Sequence, residues 1–340
     1  MLSLTTTQKI NLHHPAGLHL TLIDYGATWL SCRVPLQDGS LRETILSSAN
    51  PLDNAAQDTC MGAMIGRFAN RIADAMLHWQ GERIALHKEA TQRHQLHGGP
   101  DGFNRRRWAI SAHTTTNATL TLHSPDGDQG FPGALSVSLT ITLSGARQIS
   151  LEISAITDKH CPVCITHHPY FNLDTVHADV RHHSLQIAAD AYLPIDVDLL
   201  PIGALAKTED GFNFRQPRVI GTSWMADEQQ QLAGGYDHAF LLNASKKPAA
   251  VLTAADRKLQ LKISTTLPAL QLYTGQFLAG KISRDGSPMN ACAGVALEPQ
   301  FLPDSPNHPE WPQPSCWPGA AGATTRFTTA CWPRCCCCSP

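Results

Sequence analysis

From Ala134 the segment ALSVSLTITL alternates strictly, with Leu135, Val137, Leu139, Ile141 and Leu143 on one side and Ser136, Ser138, Thr140 and Thr142 on the other. After a short turn, SGAR, the pattern resumes with Ile149, Leu151, Ile153 and Ala155. Successive side chains of an extended strand point to opposite faces. The run therefore predicts an antiparallel pair with one face on a core and one in water. The same period of two appears in LHLTLIDYG near the start, in ATLTLHS at Ala118 and in KLQLKISTT at Lys258.

Between these runs lie SPDGDQGFPG, LHGGPDG and LAGGYDH, whose Gly, Pro, Asp and Asn content supplies tight-turn dihedrals. A helical pattern is confined to ADEQQQLAG at Ala226, long enough for one turn or two. Many strands with Gly/Pro punctuation, few short helices and no strand–helix alternation predict an all-β fold, a large antiparallel β-sandwich. Residues 1–315 show no internal repeat and no linker-like change of composition, so they read as a single domain.

Composition narrows the function more than the fold. The 340 residues are 42% hydrophobic and 16% charged, with a formal net charge of −2 and no block of like charge. That excludes an electrostatic footprint for nucleic acid or a membrane surface. The N-terminus lacks a basic stretch followed by an apolar one, and no apolar run is long enough to span a bilayer, so a cytoplasmic protein is expected. Five cysteines (Cys32, Cys60, Cys161, Cys164 and Cys292) are scattered through the body, an odd number without framework spacing. Cys161 and Cys164 form a CxxC, but the following segment is strand-like and no second pair exists, so they read as small strand residues.

The adjacent histidines of ITHHPYFNL, His167 and His168, are open to three readings: a metal site, an acid–base catalyst, or polar residues at a strand end. Neighbours on an extended chain point apart, which disfavours a shared ion, and no HExxH is present; no metal is expected. Other polar residues in turn-rich surroundings are Arg67, Asn70 and Arg71 in GRFANRIADA, His97 before two glycines, Asp237 in GGYDHAFLL and Gln271 in LQLYTGQFL. Each has a plain alternative. Arg67 and Arg71 fit a solvated i,i+4 pair on a short helix, LHGG fits a strand end with its turn, and Asp237 fits a turn cap. Glu298 is harder to set aside. It ends the apolar run GVAL, where a carboxylate is costly unless it is paired or used. A carboxylate tuned by its surroundings and a histidine suit general acid–base chemistry, and the chain has neither a P-loop nor a GxGxxG.

Seven motifs in order, GRFANRI, QLHGG with GF and Trp108, DGDQGFPG, THHPYFNL, YDHAFLL, LQLYTG and LEPQFLPDSPNHPEWP, resemble the aldose 1-epimerase (galactose mutarotase) family from about residue 10 to Pro314. The resemblance implies a galactose mutarotase-like supersandwich that interconverts α and β anomers of free hexoses, galactose and glucose among them, without a cofactor. It also implies a small-molecule sugar as the only partner, with the protein a monomer or weak dimer. By motif, His168 matches the general acid and Glu298 the general base, while Asn70, Arg71, His97, Asp237 and Gln271 match sugar-binding positions. The family usually has Asn-His where this chain has His167-His168; on an alternating strand His167 points away from the pocket. Two further functions fit the same fold: a catalytically silent sugar-binding sandwich and a hexose-phosphate epimerase. The second requires cations for the phosphate, and the run Arg105, Arg106, Arg107 is the candidate, otherwise a solvated surface run.

The resemblance ends at Pro314. Family members close with a Pro-Gly turn, a Glu and a tyrosine-containing strand, whereas this chain has SCWPGAAGATTRFTTACWPRCCCCSP with six cysteines. Residues 316–340 therefore read as a tail outside the fold, of the kind a shifted reading frame produces. Loss of a closing strand would leave its neighbour as an unpaired edge.

Overall fold

The structure, a computed structural model, describes residues 7–50, 53, 56, 58–174, 179–246, 248–318 and 323–333. The predicted pair forms as Leu135–Gly145 and Gln148–Thr157, in antiparallel register with Leu139 opposite Ile153 and Ile141 opposite Leu151. Their apolar positions are buried and the intervening Ser and Thr residues are more accessible. The other alternating runs supply His19–Ile23, Asn117–Ser124 and Leu259–Thr265. The predicted helical segment forms as Glu228–Ala233. Asp227 caps its first turn by accepting from the Gln229 amide, and Gly234 ends it at φ 68°.

Three sheets carry the fold. A nine-stranded antiparallel sheet runs in the order Ala109–His113, Asn117–Ser124, Leu135–Gly145, Gln148–Thr157, Ala323–Pro333, Leu259–Thr265, Ala250–Thr253, Ser184–Ile187, Arg218–Val219. A six-stranded sheet runs Tyr170–Phe171, Val295–Gln300, Ala269–Tyr273, Asp237–Leu242, Ala189–Tyr192, Ala206–Lys207. A four-stranded sheet holds Lys9–His13, His19–Ile23, Trp29–Pro35 and Leu41–Glu43. One apolar core joins all three, through Leu22 and Trp29, Leu139 and Ile153, and Phe240, Leu272 and Leu297. The sandwich expected from the alternation is the observed architecture.

The tail departs from expectation. Ser315–Cys316 pairs with Cys161–Pro162, and Ala323–Pro333 lies inside the nine-stranded sheet, hydrogen-bonded to Gln148–Thr157 on one side and Leu259–Thr265 on the other. The boundary expected after residue 315 is not where the fold ends. Backbone groups of two neighbours complete a ladder without requiring apolar alternation, and the β-branched run Thr324, Thr325, Thr328, Thr329 favours extension. No edge is left beside Gln148–Thr157. Cys335 to Cys338 lie outside the described residues.

Candidate active site

The six-stranded sheet has two unlike faces, and the strand period decides which residue takes which. Leu270 and Leu272, Leu297, and His238 and Phe240 point one way, and Leu270, Leu272, Leu297 and Phe240 join the core. Asp237, Gln271 and Glu298 point the other way, with Gln271 directly opposite Glu298. Both central strands, Ala269–Tyr273 and Val295–Gln300, are buried throughout, because loops from residues 58–71 and 96–105 roof this second face. The space between roof and sheet is a pocket lined by Asn70, Arg71, His97, His168, Asp237, Gln271 and Glu298. All seven residues nominated from the sequence converge on it.

His168 hangs from the roof. Thr166–His167 pairs with Met64–Ile65, and the ladder continues as the His168 amide donates to the Ala63 carbonyl at 3.0 Å. Its Nε2 lies 3.4 Å from Glu298 Oε1, and both side chains are almost wholly buried. His168 Nδ1 and Glu298 Oε2 have no hydrogen-bond partner. Alternation sends His167 the other way, where its ring packs on Trp29 at 4.3 Å and its Nε2 donates to the Gly62 carbonyl at 2.9 Å.

Arg71–Ile72 and Gln95–Leu96 form a two-residue ladder that brings Asn70 and His97 together. The His97 amide donates to the Asn70 carbonyl, and the Asn70 amide donates to His97 Nδ1 at 3.2 Å. With Nδ1 accepting, a neutral His97 carries its proton on Nε2 and is a donor there. Gly98 follows at φ 86°, so close to Gly66 that a Cβ would lie 2.1 Å from its carbonyl oxygen; only glycine fits that turn. LHGG is thus both a strand end and part of the site.

The electrostatics follow from burial. Desolvation lowers His168 to about 4 and His97 well below its ordinary value, the latter helped by His168 and Arg71. Desolvation, with Asp237 nearby, raises Glu298 well above the usual carboxylate range. Asp237 is also raised by burial, against the pull of Arg71 and the Gln271 amide. Burial disfavours the charge on either group, and so favours the form with Glu298 protonated and His168 neutral. The sequence reading placed the proton on His168; the two forms differ by one transfer. Such a pair can give a proton to one oxygen of a ligand while taking one from another.

Comparison with known proteins accords with this geometry. The family model described as Aldose 1-epimerase matches residues 8–330. The chain is 48% identical over 312 residues to the aldose 1-epimerase of Escherichia coli K12, covering 91% of this chain and 90% of that one. It is 34% identical to the galactose mutarotase of Mus musculus, covering 92% and 91%. The crystal structure of the GalM/aldose epimerase homologue from C. elegans superposes with a TM-score of 0.88 at 26% identity, covering 96% of this chain and 99% of the other. The chain belongs to the aldose 1-epimerase family.

As an isomerase of this family it uses some of the remaining nominated residues for architecture. Arg67 is no solvated partner of Arg71. It is buried, and its guanidinium donates to the carbonyls of Ser124, Pro125, Pro132 and Gly133 and to Ser124 Oγ. Its segment is not helical, because the chain there runs through short strands and a turn. The arginine run is not a solvated stretch either. Arg105 lines the pocket and pairs with Asp58 and Glu89, while Arg106 pairs with Asp101 and Asp128 and Arg107 with Asp24. Cys161 and Cys164 are buried free thiols, as small strand residues would be.

Tyr170, Tyr273 and Cys60 also line the pocket and escaped the sequence reading. Tyr273 is two positions beyond Gln271 and Tyr170 two beyond His168, so strand parity carried a signal for both. Cys60 had none, since it arrives on a roof loop; burial pushes its thiol up to about 12. Among the described residues no helix is long and apolar enough to cross a membrane.

Proposed function

We propose that the chain interconverts the α and β anomers of free hexoses such as galactose and glucose by acid–base ring opening and closure. A pyranose changes anomer by opening at the hemiacetal, rotating about C1–C2 and closing on the other face. Opening requires removal of the C1 hydroxyl proton and delivery of a proton to the ring oxygen. Glu298 as carboxylate takes the first and His168 as imidazolium gives the second; they exchange roles on closing. A sugar hydroxyl donating to Glu298 Oε2 and a ring oxygen accepting from His168 favour this ionic form over the neutral one that burial alone prefers. Each transfer is worth ~10²–10⁴ in rate. Asn70, Arg71, His97, Asp237 and Gln271 orient the sugar hydroxyls.

The observation that supports the reading most is the 3.4 Å approach of His168 Nε2 to Glu298 Oε1 inside a pocket lined by every nominated sugar-binding residue. We also read the protein as a monomer or weak dimer and place it in the cytoplasm. Polarimetry on freshly dissolved α-galactose and α-glucose tests the proposal. Purified protein should speed the approach to the same final rotation. Galactose binding without acceleration would instead identify a silent sugar-binding sandwich.

A further inference from the structure

Gln300 is completely buried, does not line the pocket, and has no part in the chemistry above. It lies two positions beyond Glu298 and so faces the same side of the sheet. Its Nε2 donates to Gln271 Oε1 at 3.1 Å, and Gln271 Nε2 donates to Asp237 Oδ1 at 2.6 Å. Every bond in this chain of three points the same way, towards the pocket.

We propose that Gln300 is a positioning residue that sets the polarity of the sugar-binding carboxylate. A Gln amide has one accepting end and one donating end of nearly the same shape, so either end of the Gln271 amide could face Asp237. Gln300 offers it a donor, which occupies the Gln271 oxygen and leaves only N–H groups for Asp237. Asp237 is therefore held as an acceptor, ready to receive a sugar hydroxyl through its remaining lone pairs. Without that donor only Asp237 itself orients the amide, and the reversed amide, with its oxygen towards Asp237, becomes accessible and favours a protonated carboxyl. This inference rests on the reading of Asp237 as a sugar-binding residue.

Two variants separate direction from mere occupancy. Gln300→Met fills a similar volume but neither donates nor accepts. It should raise KM for galactose about tenfold, the worth of one hydrogen bond to a charged group, with kcat within about threefold and no added pH dependence. Gln300→Glu donates only while its carboxyl is protonated. Its KM should lie near wild type at the acid end of the working range and rise as the introduced carboxyl ionises, because an acceptor at that place forces the Gln271 N–H groups away from Asp237. Calorimetric binding of galactose should show the same pattern in Kd. Wild-type KM in both variants, or a pH-independent loss of equal size in both, would overturn the proposal, as would a fall in kcat with KM unchanged. If the unmodified chain proves not to move anomers at all, the mutarotase reading fails while the Kd pattern still decides the role of Gln300.

Discussion

His168 Nε2 stands 3.4 Å from Glu298 Oε1, across a pocket whose roof supplies the imidazole and whose floor supplies the carboxyl. Residues 130 positions apart in the chain are brought to this separation because each extends from a paired strand segment, and neither arrives on a free loop. The same burial that fixes the distance also fixes the titration of the pair.

The pH profile of kcat/KM should reflect one retained proton. The pair works while it carries a single proton, so activity falls at acid pH when a second one binds and at alkaline pH when the last one leaves. Burial lowers His168 to about 4 and raises Glu298 well above its ordinary value. The acid limb should therefore lie near pH 4. Initial rates measured between pH 3.5 and 9 check this; an acid limb centred near 6.5, the ordinary histidine value, would contradict it.

His167, beside His168, is where the sequence departs from the Asn expected from the family resemblance, and it faces Trp29 on the far side of the strand. Its substitution should leave the chemistry alone. His167→Asn is expected to keep mutarotation within about threefold of wild type and to lower stability by about 1 kcal/mol, the scale of one altered buried hydrogen bond. Paired polarimetry and urea unfolding measure both.

Arg67 should behave oppositely, as a structural residue with no direct part in catalysis. Its guanidinium satisfies the carbonyls of Ser124, Pro125, Pro132 and Gly133, tying the two ends of this loop together. Arg67→Ala removes these donors from a buried place and should cost about 3 kcal/mol or more of stability. Thermal and urea unfolding test it. A variant as stable as wild type would show that the loop holds itself.

Deleting residues 317–340 should damage the protein, although the sequence placed this tail outside the fold. The deletion exposes two long neighbours, Gln148–Thr157 and Leu259–Thr265, as facing unpaired edges in mid-sheet. The truncated chain is expected to aggregate on size-exclusion chromatography. A well-behaved monomer with wild-type rates would return the segment to the status of an appendage.

What could be read from sequence divides along physical lines. Strands such as Leu135–Gly145 were legible because one face meets the core and one meets water, which writes the alternation into the residues. Val295–Gln300 is buried on both faces, so only the cost of a carboxylate in an apolar run marked Glu298. Arg67 misled because sequence shows its charge but not the carbonyls folded around it. Ala323–Pro333 was missed because backbone pairing between two existing strands demands little of composition.

The central claim is that His168 and Glu298 together move the protons of ring opening. Polarimetry on fresh α-galactose with Glu298→Gln and His168→Asn, each confirmed as folded by circular dichroism, tests it most directly. Each variant should lose about a hundredfold or more in kcat. A near-wild-type rate in either one would remove that residue from the mechanism.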